Sequence, residues 1–402
     1  MPERAWTWLL AACVGFLALC GVAHADFGCR AESFEAWLTG VKEEAVRAGI
    51  SRRTLSALHG LSIDRRVLDR DRGQPSLSQS FLEFAGRVVS ADRLTRGRAL
   101  LKKHANIFAR IERDYGVTGS VLVAFWGLET DYGAFTGDFS SLRSLATLAY
   151  DCRRPEYFRA ELVDALRLLE SGDLKLAEMK GAWAGELGQV QFTPSNYLKY
   201  AVDYDGDGRR DLVESVPDAL ASTANYLKAI GWRANEPWLE EVAVAAGVPW
   251  QEAARENLKP RSFWAAAGVT RRDGSALAPD DVPAALLLPM GRRGPTFLGY
   301  ANFLIFWEWN QSSNYSLAAA YFATRLGGAP RLDAGNAPAI LPADAMREVQ
   351  ERLNALGYAA GEPDGRLGEI TRAGVKRAQI AYGLPADGYP TNELLQLLRK
   401  GS

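Results

Sequence analysis

A mainly helical body followed by a small three-helix module is the fold class this sequence predicts. Three observations predict it. Apolar residues recur at helical spacing from Phe34 to about Leu326, and strand-like alternation is scarce over the same stretch. A Gly-, Pro- and Ala-rich segment, "GGAPRLDAGNAPAILP" at 327–342, then separates this body from a second set of helical stripes. The 402 residues are enough for two or three domains at roughly 150 residues each.

Taken in order, the chain opens on an export signal over 1–25. Arg4 precedes the mostly apolar run Ala5 to Val22, and Ala23-His24-Ala25 has the small-x-small form of a cleavage site, so the mature chain begins at Asp26. A membrane anchor is the alternative, but the run is near the short limit of a span of about 20 residues. A lipid anchor on Cys20 is disfavoured by the bulky Leu19 before it. Cleavage leaves Cys29 and Cys152, and an exported pair suggests one disulfide.

In the body, Phe34 to Leu38 leads one helix, Arg98 to Tyr115 reads as another and Ser316 to Leu326 as a third, with turn signals at Asp203 to Gly208 and Arg292 to Pro295. Past the linker at 327–342, Met346, Val349, Leu353 and Leu356 form a stripe ended by Gly357. Val375, Ala378 and Tyr382, then Leu394, Leu395 and Leu398, mark two more helices of a module over 343–402. The module carries an internal echo: Asp364-Gly365 precedes Thr371, and Asp387-Gly388 precedes Thr391, each pair a tight turn with a threonine suited to cap the next helix.

A formal net charge of −1 gives no bulk attraction to nucleic acid or an acidic membrane, so recognition is local. Only His24, His59 and His104 exist, which disfavours a histidine-rich zinc site. The informative stretch is "FWGLETDYG" at 125–133. Val121 to Leu128 is apolar nearly all round, so Glu129 ends a buried helix, with Phe125 and Trp126 one turn behind it. Desolvation there favours the protonated carboxyl, the state a general acid needs near neutral pH. The competing reading pairs Glu129 with Arg153 or Arg154. Asp131 lies about 200° round the helix from Glu129 and reads as a solvated or capping residue.

A second stretch, "GAWAGELGQVQFTPS" from Gly181, sets Gln191 beside Phe192 among glycines, an amide next to a stacking face suited to sugars. The run Asp203 to Glu214 fits a twelve-position calcium loop. Asp203, Asp205, Asp207, Asp211 and Glu214 supply side-chain oxygens, Arg209 its backbone carbonyl, and Gly208 stands at position 6, after Gly206.

"GLETDYG", "GAWAGELGQVQFTPSNYLKYAVDYDGDG", "ANYLKAIGW" and "WNQSSNY", in that order over about Phe34 to Leu326, resemble the lytic murein transglycosylase B family. The resemblance implies an α+β lysozyme-like catalytic domain over 26–326 that cleaves the β-1,4 bond between N-acetylmuramic acid and N-acetylglucosamine, leaving 1,6-anhydro ends. It implies Glu129 as sole acid and base, with Gln191, Tyr226, Trp309, Asn310 and Tyr315 along the glycan groove. No organic cofactor is implied; a structural Ca2+ is, with Asp218 a rival to Glu214 for the last ligand. Ala182 and Trp309 stand where the family has a serine and a tyrosine. The tail, with "VQERLNALGY" and "PDGRLGEITRAGVKRAQIAYGLPADG", resembles a peptidoglycan-binding domain. The expected partners are peptidoglycan glycan strands in a Gram-negative periplasm, with cell-wall synthesis or divisome proteins as candidate further partners. A water-using muramidase and a non-catalytic wall-binding scaffold are the rival functions.

Overall fold

The computed structural model describes residues 32–73 and 79–401. The export signal at 1–25 and Cys29 lie outside the described residues. Helices dominate, and they enclose two apolar cores. The first centres on the helix Gly119–Thr130, which is packed by Ser313–Leu326, Ala91–Lys103, Ala105–Tyr115 and Val216–Ala229. The second gathers the helices Ser141–Tyr150 and Pro155–Ser171 with the N-terminal helix Phe34–Arg47. Ser33 caps that last helix through its hydroxyl, which accepts the Ala36 amide at 3.2 Å.

One expected helix is two. Between Lys103 and Ala105 the backbone leaves helical geometry at His104 (φ −106°, ψ 23°), so that Leu94 and Phe108 can both enter the first core. A break of one residue barely disturbs the apolar period and is invisible to it.

The larger departure is a sheet. Strands β1 (Phe139–Ser140) and β2 (Lys180–Gly181) pair with each other. Strands β3 (Leu239–Val244), β4 (Lys259–Pro260), β5 (Val269–Arg271), β6 (Pro283–Leu287) and β7 (Phe297–Tyr300) form an antiparallel sheet in the order β4-β6-β7-β3-β5. Its own core holds Trp264, Leu286, Leu298 and Tyr300. Strands of two to six residues are too short to display alternation, and β7 is buried along its whole length. Strand β7 runs straight into the helix Ala301–Trp309 and so delivers Trp309 to the junction of the first two cores, against both of which it packs.

The C-terminal module has helices Ala343–Ala355, Glu369–Ala381 and Asn392–Lys400. The sequence echo is also an echo of packing. Buried Gln350 donates to Asp364 Oδ1 at 3.0 Å and accepts the Gly365 amide at 2.8 Å; Gln379 donates to Asp387 Oδ1 at 2.8 Å and accepts the Gly388 amide at 2.9 Å. Thr391 caps its helix as expected, accepting the Leu394 amide. Thr371 does not: its helix begins earlier, at Glu369, and its buried hydroxyl donates to the Ala360 carbonyl.

The segment 327–342 has no regular structure but is strapped down: the Leu332 amide donates to the Tyr321 hydroxyl, Asp333 to Glu241 and Asn336 to the Arg293 carbonyl. The module itself rests on the body through Arg372, which donates to the Pro289 carbonyl at 2.7 Å, and Asp387, which accepts the Arg292 amide at 3.0 Å.

Candidate active site

Glu129 occupies the last turn of the helix Gly119–Thr130, and the chain then reverses through three consecutive left-handed residues, Asp131 (φ 52°), Tyr132 (φ 68°) and Gly133 (φ 82°). Two non-glycine residues in this region are strained, at roughly 1–2 kcal/mol each, so their surroundings must hold them. Asp131 is held by Arg93 at 3.1 Å and Arg96 at 2.8 Å. Tyr132 folds back over Gly127, where any Cβ would meet its ring at 2.7 Å, and donates to the Arg93 carbonyl.

Gln189 completes the turn, and sequence reasoning missed it. Its Oε1 accepts the Trp126 indole N–H at 3.0 Å, its Nε2 donates to the Val213 carbonyl at 3.0 Å, and its own carbonyl accepts the Thr130 hydroxyl at 2.6 Å. Among the glycines of 181–192 it looked like one more loop amide, and nothing local marks it as buried.

The Glu129 carboxyl is half-buried. One oxygen, Oε1, accepts both the Trp309 indole N–H at 2.8 Å and the Tyr315 hydroxyl. Among the described residues no hydrogen bond reaches Oε2. Burial pushes the carboxyl above the ordinary glutamate range; the two donors pull it partly back, and the nearby Glu186 carboxylate adds a smaller push upward. Arg153 and Arg154 are not its partners, because both pair with Asp71. The arrangement can hold a proton on Oε2 and stabilise the carboxylate left when that proton departs.

The other predicted groove residues divide by geometry. Tyr315 and Trp309 touch Glu129. The Trp309 ring is wedged against Phe125 (centroids 4.3 Å apart), Tyr226 (5.5 Å) and Phe192 (5.9 Å), so its contact with Glu129 is through its N–H edge. Tyr226 also packs on Tyr200 at 4.8 Å. Gln191, left-handed at φ 52°, donates its amide to the Thr136 and Gly188 carbonyls. Asn310 is exposed and accepts the Ser312 amide, shaping the turn between the helices that carry Trp309 and Tyr315. Cys152 is disulfide-bonded; the expected partner, Cys29, lies outside the described residues.

In the acidic loop, Asp203, Asp205 and Asp218 bring carboxylate oxygens within 4.8 Å of one another. Asp218 is fully buried, its carboxyl pushed upward mainly by desolvation, while three backbone amides, of Tyr204, Asp205 and Asp211, donate to it. Asp207 accepts the Arg209 amide, Asp211 accepts those of Val213 and Glu214, and Glu214 is exposed outside the cluster. The Arg209 side chain turns away to Glu178. An all-oxygen set with a buried carboxylate short of positive charge fits a hard divalent cation such as Ca2+. The loop is wired to the site, since Gln189 takes the Val213 carbonyl through its side chain and the Leu212 carbonyl through its backbone.

Residues 33–324 match the transglycosylase SLT domain. The chain belongs to that family. A second match, to a putative peptidoglycan binding domain, covers 342–398. Membrane-bound lytic murein transglycosylase B of Escherichia coli (strain K12) is 32% identical over 245 residues, 60% of this chain and 65% of that relative. The crystal structure of SltB3 from Pseudomonas aeruginosa, solved with NAG-anhNAM-pentapeptide, superposes with a TM-score of 0.86 at 40% identity, over 92% of this chain and 100% of that one. Escherichia coli lytic transglycosylase Slt35, solved with calcium, gives a TM-score of 0.63 at 27% identity, over 74% and 93%. The mostly helical body with its short sheet is thus the lysozyme-like fold of this transglycosylase family.

Proposed function

We propose that the chain is a lytic transglycosylase of peptidoglycan in which Glu129 acts alone as acid and then base. The observation that carries this reading is a carboxyl with one oxygen fixed by two neutral donors and the other without a hydrogen bond from the described residues, in surroundings that favour its protonated form. Glu129 protonates the glycosidic oxygen between N-acetylmuramic acid and N-acetylglucosamine. As carboxylate it then takes the proton of the muramoyl C6 hydroxyl, whose oxygen closes onto C1 to give the 1,6-anhydro sugar. No carboxylate nucleophile is required, consistent with Asp131 being held by Arg93 and Arg96 and with burial pushing the Glu186 carboxyl above the ordinary glutamate range.

Trp309 and Tyr315 stabilise the carboxylate between the two proton transfers, and Tyr226, Gln191 and Asn310 border the groove. Asp203, Asp205 and Asp218 would hold Ca2+, which when bound supplies the charge that keeps the loop beneath Gln189 closed. Catalytic and wall-binding parts follow the matched segments, with 327–342 between them. The reading places the mature chain in the periplasm. Among the described residues no helix is long and apolar enough to cross a membrane.

Mass spectrometry of muropeptides released from purified sacculi tests the reading. Products one water lighter than reducing muropeptides, absent with Glu129→Gln, are expected. Reducing ends that take up labelled oxygen from water would make the enzyme a muramidase, and no release at all would leave a scaffold.

A further inference from the structure

Where the C-terminal module rests on the body it leaves a cavity of about 620 Å³, within the size range of sites for small ligands. The body contributes Leu286, Phe303 and Leu317, and the module contributes Ile370, Arg372 and Lys376. An apolar body wall therefore faces a module wall of mixed charge, on which Glu369 and Asp387 stand beside the two cations.

The two cations are unusual in what they touch. Arg372 donates to the Pro289 carbonyl and Lys376 to the Ala253 carbonyl, and among the described residues neither makes an ion pair. The neighbouring carboxylates are committed elsewhere. Glu369 accepts the Ser313 hydroxyl at 2.7 Å and lies 3.9 Å from Arg255; Glu256 also pairs with Arg255; Asp387 accepts the Arg292 and Tyr389 amides and the Gln379 side chain. Burial disfavours the charged form of both Arg372 and Lys376. Half-buried cations that rest on neutral carbonyls are ready to gain from an anion.

The cavity is connected to the catalytic acid along the chain. Trp307, Ser313 and Asn314 line it, while Trp309 and Tyr315, within the same stretch, reach Glu129.

We propose that this interdomain cavity is a subsite for a short anionic peptide, the stem peptide that peptidoglycan carries on the muramic acid at which the strand is cut. The proposal rests on the peptidoglycan reading above and adds to it a second site of contact. The peptide's side chains lie against Leu286, Phe303 and Ile370, and a carboxylate sits between Arg372 and Lys376.

Titration calorimetry of the full mature chain with a sugar-free stem pentapeptide tests this. Wild type and Glu129→Gln should both bind saturably. Lys376→Met and, independently, Ile370→Asp should each weaken binding about tenfold or more. Ile370 is exposed, so its substitution leaves folding intact, and Ile380→Asp, exposed on the same helix outside the cavity, should bind like wild type. Absence of saturable binding, or equal affinity across all variants, overturns the subsite. Purified sacculi, which carry the stem peptides, separate the two readings: sacculi cut by an enzyme that binds no peptide overturn the subsite and leave the transglycosylase standing, whereas sacculi left uncut overturn the transglycosylase itself.

Discussion

Glu129 and Asp131 stand two residues apart at the end of one helix and live under opposite electrostatics. Glu129 meets two neutral donors in an apolar setting and is pushed toward its acid form; Asp131 meets two guanidinium groups and is held below its ordinary value, chiefly by Arg96. The left-handed turn between helix and loop separates them, sending one carboxyl toward the groove and the other toward the helix Ala91–Lys103. The same chemical group becomes a proton carrier or a structural clamp according to what surrounds it.

The largest test of that contrast is Glu129→Gln, which should lower the rate of anhydro-muropeptide release by about 10²–10⁴-fold while leaving the fold intact by circular dichroism. The same substitution should raise the midpoint of thermal unfolding at pH 7. Between the ordinary glutamate value and the raised one the native protein holds a proton on Glu129 that the unfolded chain has released, so wild-type stability falls as pH rises through that window, and the amide escapes that loss. Activity should fall over the same window as the acid is deprotonated.

Gln189→Leu comes next. It strips partners from the buried Trp126 N–H and the Val213 carbonyl and should cost about 1–3 kcal/mol in urea denaturation, with a lower kcat. Chelation of calcium should be milder: at 1 mM metal and a dissociation constant of about 10⁻⁴ to 10⁻³ M the expected stabilisation is only about 0.4–1.4 kcal/mol, and Asp218→Asn should abolish the calcium-dependent shift in melting. Smallest is Asp131→Asn, under about 1 kcal/mol because the ion pairs are partly solvated and asparagine tolerates the left-handed turn. Its wild-type contribution is present above the unfolded aspartate pKa and is lost as pH falls through the lowered native one, opposite in sign to Glu129. A loss of stability in Glu129→Gln at pH 7 would break the comparison.

The environment of Glu129 was legible because eight apolar residues in a row leave a helix no solvated face, and burial of the following carboxyl depends only on that. The module was legible because its repeated Asp-Gly turns and leucine stripes are local signals. The β3–β7 sheet was not, since its strands are too short to show a period. Nor was the polar role of Trp309: the family resemblance puts it along the groove, but an indole N–H pointing at a carboxyl 180 residues away is a fact of tertiary packing. The acidic loop was half legible. A twelve-position template fixes its last ligand at Glu214, whereas the start of the helix Val216–Ala229 brings Asp218 into the cluster.

Trp309 packs on both helical cores and its N–H sets the acid. On the reading proposed above, a chain with only one of these cores assembled has no wedge for the indole and so no oriented Glu129. The acid is then set only when both cores have closed around the same ring, which makes completed folding a condition of activity.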